Sequence, residues 1–177
     1  MVKQTQTDAS HVPSLKRWWR NALYMPWITQ RYFKTEQLDQ IEQAVKAAEL
    51  GHAGELIVII EGNLPLNEAY RRGTHERAMD LFSEFKVWDT QFNSGVLLYV
   101  NVCEHQVELL ADRGINQFVV PEHWQTICNQ VSERFKQEQY SDGVLTGVQL
   151  IGQTLQTFYV VQVDAMGNEK TNRPILI

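Results

Sequence analysis

Cysteine is scarce in this chain. The 177 residues contain two, Cys103 and Cys128, which form no C-x-x-C pair and no zinc-like cluster. A disulfide framework is therefore not expected, and a reducing compartment fits. Excess positive charge is also missing: 16 Lys and Arg stand against 21 Asp and Glu, a net charge of −5. Nucleic acid is not the expected partner, because phosphate contacts need concentrated Lys and Arg. Long apolar runs are absent as well. LIVII (56–60) and VLLYV (96–100) have the length of strands, not of membrane spans. The opening MVKQTQTDASHVPS has no apolar core of the signal-peptide kind. Together these absences point to a cytoplasmic protein whose membrane contact, if any, is peripheral. There are no repeats and no low-complexity segments.

Two catalytic motifs begin and then fail. His75-Glu76 is followed by Met79 where H-E-x-x-H zinc enzymes need a second histidine. The other histidines, His52, His105 and His123, read as solvated groups in a turn, a hairpin tip and a helix start. Cys128 and Arg134, in CNQVSER, have the spacing of a cysteine-phosphatase loop. Such a loop works because it is not helical: successive N–H groups converge on phosphate. Here Trp124, Ile127, Cys128, Val131 and Phe135 fall on one helical stripe, no glycine frees the backbone, and Cys128 reads as a small buried hydrophobe.

What is present is a regular alternation of elements. Residues 1–13 read as flexible. Residues 14–34 form an arm in which Lys16, Arg17, Arg20, Arg31 and Lys34 interleave with Trp18, Trp19, Tyr24, Trp27, Tyr32 and Phe33. Three readings stand open: aromatics packed on the domain, an interfacial membrane anchor with Trp18, Trp19 and Trp27 at the contact, or a partner-binding arm. Pro26 precludes one long helix. A helix is expected over about 36–50, capped by Thr35 and stopped at Gly51. ELIVIIE (55–61) follows as a strand buried on both faces. A second helix fills much of 66–88, weakened by Gly73. Strands at 96–102 and 106–112 form an antiparallel hairpin, and helices at about 122–137 and 142–159 complete the pattern. The last residues, VQVDAMGNEKTNRPILI, read as an extra strand or as disorder. The division is an arm (1–33), an α/β domain (34–160) and a tail (161–177). Strand–helix–strand order favours a parallel pair, giving an α/β fold: a mixed sheet sandwiched between helix layers, in a Rossmann-like three-layer architecture.

Four stretches carry a family resemblance: AELGHAGELIVIIE, RAMDLFSEFKVWDTQFNSGVLLYV, VELLADRGIN and YSDGVLTGVQLIG. Together they resemble the TPM domain family over about residues 33–158, in particular its small bacterial branch. The resemblance implies a mixed sheet between helix layers, binding of calcium or another divalent metal, and a weak phosphatase activity in some members. Members of this kind often accompany membrane-associated proteins. The chain departs from the family pattern at Ser94, where Asn is usual, and in INQFVVPEHW, where an acidic residue is common.

The hairpin suggests one cluster. With Val102 opposite Val107, Asp112 lies opposite Leu97, at the end where Asn93 and Gly95 lead in. Asp89 shares that loop, and Glu55 begins at the same edge if its strand runs parallel. Asp89, Asn93, Asp112 and Glu55 are oxygen donors of the kind that suit Ca²⁺ or Mg²⁺. Arg113 neutralises them or takes an anion. The plainer alternative is structural capping by Asp89 and Asp112. No general base for catalysis is evident. The expected function is an interaction or adaptor module for membrane-associated partners, the alternative a weak divalent-metal-dependent phosphatase.

Overall fold

The computed structural model describes residues 13–158 and 170–177. Expectations for residues 1–12 and for 159–169 lie outside the described residues. The arm forms two short helices, α1 (Leu15–Ala22) and α2 (Pro26–Tyr32), with Pro26 opening the second because its missing N–H costs nothing there. The domain follows as α3 (Thr35–Ala48), β1 (Glu55–Glu61), α4 (Leu66–Ala69), α5 (Thr74–Glu84), β2 (Gly95–Asn101), β3 (Gln106–Ala111), α6 (Arg113–Asn116), α7 (Pro121–Lys136), α8 (Tyr140–Phe158) and β4 (Ile175–Leu176).

The sheet order is β3-β2-β1-β4. β1 runs parallel to β2 from Glu55↔Gly95 to Glu61↔Asn101, as the intervening helices require. β2 and β3 are antiparallel, but their register differs from the sequence expectation by two residues. Val100, not Val102, faces Val107, and Asp112 N–H donates to Gly95 O (2.8 Å). The turn is Val102–His105, with His105 in the left-handed region (φ 54°). A two-residue shift keeps every side chain on its expected face. The single helix expected over 66–88 is also broken. Gly73 sits before α5, where its N–H is bound by Glu76 Oε2 (2.9 Å), so the weak point becomes a helix start. The tail supplies a short parallel edge strand, with Ile59↔Ile175 and Ile60↔Leu176.

β1 is buried along its whole length, and alternation divides its side chains between two cores. Leu56, Val58 and Ile60 join Val96, Leu98 and Val100 beneath α3, α7 and α8. Ile57 and Ile59 join Leu97, Tyr99 and Leu110 beneath Ala78, Leu81 and Phe82 of α5. Three layers result, helices on both sides of a mixed sheet. The α7 stripe of Trp124, Ile127, Cys128, Val131 and Phe135 is buried in the larger core, each large side chain contributing about 1.5–3 kcal/mol. Gly152 lets α8 approach α3, since a Cβ there would lie 2.7 Å from that of Ala48.

Candidate functional site

The arm meets the sheet at the end where β1 and β2 leave it. Ser14 accepts from Arg17 N–H (3.2 Å) and caps α1. Arg17 Nε donates to Ala69 O (2.7 Å). Asn21, fully inside, donates to Glu104 Oε1 (2.6 Å) and accepts from Leu64 N–H (2.7 Å). Arg20 completes the joint with an ion pair to the buried Glu104. Glu104 in turn is fixed at the hairpin tip, its N–H bound by Asn101 Oδ1 (2.9 Å). The polar face of α1 is thus the one fastened to the domain. Its apolar face, Leu15, Trp19 and Leu23 at intervals of four, points outward, and Met25 and Trp27 are exposed just beyond. Trp19 and Trp27 are 58% and 56% exposed. Trp18 is half-buried and stands edge-on to Trp19, centroids 5.0 Å apart. The other aromatics of the arm turn inward: Tyr24, Tyr32 and Phe33 pack against the larger core. No acidic residue lies between Pro13 and Lys34, and Lys16, Arg31 and Lys34 are exposed.

The opposite end of the sheet holds the expected oxygen donors. Parallel pairing puts Glu55 and Gly95 side by side, and Asp112 follows directly opposite Gly95. Asn93 adopts a left-handed backbone (φ 53°), and its carbonyl accepts from Gly114 N–H (3.0 Å). The approach demands glycine at 114, where a Cβ would lie 2.5 Å from that carbonyl. Asp112, 8% exposed, accepts from Arg113 N–H through Oδ1 (2.7 Å), while its buried Oδ2 has no hydrogen-bond partner. Burial raises its pKa, opposed by the Arg113 N–H and charge. Asn93 and Asp112 are therefore neighbours. Asp89 is exposed, its N–H closing a turn on Lys86 O (2.9 Å). Glu55 accepts from Lys170 N–H (3.2 Å) and faces Glu49 electrostatically. Arg113 is exposed. Among the described residues no three Asp, Glu, His or Cys side chains are grouped to hold an ion. An orphaned carboxylate oxygen is a donor a hard cation takes, and Asp112 supplies one such oxygen.

A second polar cluster, missed by the sequence reading, lies between α5 and the sheet. Glu61 accepts from Tyr99 Oη (2.5 Å) and Arg77 Nε (2.9 Å), and Glu108 accepts from Thr74 Oγ1 (2.7 Å). His75 pairs with Glu108 at 3.2 Å, an interaction that raises its pKa. His75 is largely covered. Of the histidines expected to be solvated, His52 and His123 are not. His52 is buried, donating to Ala48 O (2.7 Å) and accepting from Gly54 N–H (3.1 Å). His123 is half-buried against Thr154 Oγ1 (2.8 Å). The one available signal was carboxylates inside apolar strands, Glu61 and Glu108, each of which needs a partner.

Both cysteines are buried and unpaired, and burial pushes each thiol up to about 12. No thiolate nucleophile is poised at neutral pH. Among the described residues no helix is long and apolar enough to cross a membrane.

Comparison with known proteins agrees with this architecture. The BA42 protein of the psychrophilic bacterium Bizionia argentinensis superposes with a TM-score of 0.71 at 28% identity, over 82% of this chain and 95% of that one. The N-terminal domain of a P. gingivalis protein shares the fold, with a TM-score of 0.58 at 19% identity, over 75% of this chain and 83% of that one. No curated protein matches. The TPM domain model matches residues 29–154, from α2 to the end region of α8. This chain belongs to the TPM domain family.

Proposed function

We propose that this protein is an interaction module that docks on anionic membrane surfaces, where it meets membrane-associated partners, through its N-terminal arm. One observation carries the reading: the amphipathicity of α1 is inverted. An ordinary surface helix buries its apolar stripe, whereas α1 fastens its polar stripe to the domain and presents Leu15, Trp19 and Leu23. Exposing such a patch in water is unfavourable unless something covers it. Aromatic rings beside Lys16, Arg31 and Lys34, in a chain that is acidic overall, suit lipid headgroups. The test is co-sedimentation of the full chain with vesicles of neutral and anionic lipid. Binding should require anionic lipid, weaken with salt, and fall several-fold in Trp19→Ser and Trp27→Ser. No binding at any lipid composition would sink the reading.

A second reading, weak divalent-cation binding with phosphatase chemistry, draws support from the unpartnered Asp112 Oδ2. Asp112 and Asn93 would hold the ion, with Arg113 available to an anionic ligand. A bound cation would supply Lewis-acid polarisation of a phosphate ester. An amide NMR titration with Ca²⁺, then Mg²⁺, should shift residues near 93–95 and 112–114 and lose that response in Asp112→Asn. Shifts that persist in the variant would assign the ion elsewhere.

A further inference from the structure

Among the described residues, the outer edge of β1 is covered by a short strand at the chain's end. β4 spans two residues, and beyond it Ile177 N–H donates to Ile60 O (3.0 Å) while Gly62 N–H donates to Ile177 O (2.9 Å). Of the residues 170–177, only Pro174 is buried. Ile175 is half-buried, and Leu176 and Ile177 are exposed. Ile175 packs against the smaller core, and polar ties run from 170–173 to α3, its C-cap and the start of β1. Arg173 Nη1 forks between Asp39 Oδ1 and Glu42 Oε2, both at 3.0 Å. Asn172 Nδ2 donates to Glu49 Oε2, and Lys170 N–H donates to Glu55 Oε2. Glu49 Oε1 meanwhile takes the edge N–H of Leu56 (2.8 Å). Asp39 and Glu42 on α3 and Glu49 at its C-cap follow one side of the helix, at i, i+3 and i+10, with Lys46 bound to Glu42 between them. A sheet edge flanked by an acidic stripe is a template for an extended basic–apolar segment.

We propose that the β1 edge and the acidic face of α3 form a docking groove for an extended peptide. Such a peptide bears a cation, an amide and alternating apolar residues, and the chain's own residues 170–177 occupy the groove in cis. The inference is independent of the arm and of lipid binding. Few buried apolar contacts make such a segment the first to open. While attached it competes at an effective concentration in the millimolar range, so a free peptide gains access only when it is released.

Glu49 adds a pH dependence to the release. Burial, with Glu55 opposing from β1, raises it to about 7, despite the Leu56 N–H and the Asn172 amide. The charged groups around it are Glu55 on β1, Glu42 and Lys46 on α3, and Lys170 and Arg173 on the tail. In the proposed opening Glu49 loses the Asn172 donor but returns to water, and the gain in hydration, the larger effect, lowers its pKa. Closure is therefore fully favoured below the ordinary carboxylate range and weakens as pH rises through about 7. Between pH 6 and pH 8 opening should increase by up to about tenfold.

The experiment uses the full chain and a labelled TNRPILI peptide. Hydrogen exchange, corrected for intrinsic rate, follows residues 56–62 and 170–177 at pH 6 and pH 8. Anisotropy follows peptide binding to the wild type and to Arg173→Glu, which sets like charges against Asp39 and Glu42. Arg173→Glu should expose 170–177 without loosening the larger core and should bind the peptide at least ten times more tightly than wild type. Glu49→Gln should abolish the pH response. The proposal is overturned if Arg173→Glu leaves 170–177 as protected as before. It is equally overturned if that variant frees the segment and the peptide still fails to bind.

Discussion

Helices α1 and α7 have the same kind of sequence and opposite fates. Each carries apolar residues at helical spacing on one face and polar residues on the other. α7 turns Trp124, Ile127, Cys128, Val131 and Phe135 into the larger core. α1 turns Arg17 and Asn21 inward and Leu15, Trp19 and Leu23 outward. Periodicity defines a stripe; it does not say which way the stripe faces. The direction is decided by what waits on the domain. Beneath α7 lie β3 and α8, apolar surfaces. Beneath α1 lie Glu104, the Leu64 N–H and the Ala69 and Tyr70 carbonyls, which only polar side chains can satisfy.

Substitutions on the two helices should therefore separate stability from binding. The largest loss belongs to α7: Phe135→Ala removes a ring packed on Tyr140 at 5.0 Å and should cost about 3–5 kcal/mol in a denaturant melt. A loss below about 1 kcal/mol would mean that the α7 stripe is loosely packed. Next comes the polar face of α1. Asn21→Ala leaves Leu64 N–H unbound and Glu104 with fewer donors, a cost of about 1–3 kcal/mol, visible as faster exchange in residues 15–23. On the outer face, Trp19→Ser should change stability by no more than about 0.5 kcal/mol while reducing vesicle binding. A large destabilisation there would show that the ring is packed rather than presented. The smallest effect is expected of the thiols. With Cys103 and Cys128 both raised to about 12 by burial, alkylation at neutral pH should be slow in the native chain and rapid in denaturant. Fast native labelling of Cys128 would place α7 in a different register.

Much of the fold was legible because it rests on patterns that the core enforces. ELIVIIE was readable as a doubly buried strand, and helices α3 and α7 as amphipathic segments. The hairpin register was not, since a two-residue slip leaves the alternation unchanged and the turn residues Cys103, Glu104 and His105 favour no one loop length. The break at Gly73 was visible as a weakness, but whether a weak point bends or restarts a helix depends on Glu76 reaching back to the Gly73 N–H. In the candidate site, the nearness of Asn93 to Asp112 followed from topology alone. The turning of Glu55 toward Lys170 did not, because that contact joins positions 115 residues apart. The Glu61 and Glu108 cluster was hidden for the same reason, its partners Arg77, Thr74 and His75 lying on α5.

The placement of the arm has a consequence for orientation. It is anchored where β1 and β2 end, at Leu64 and Glu104, whereas Asp112 lies opposite Gly95, where β2 begins. A seven-residue strand separates the two, roughly 23 Å at the usual rise per residue. Under the proposed docking, a lipid surface held at one pole would leave the other a strand's length away, so a ligand at Asp112 would arrive from the aqueous phase.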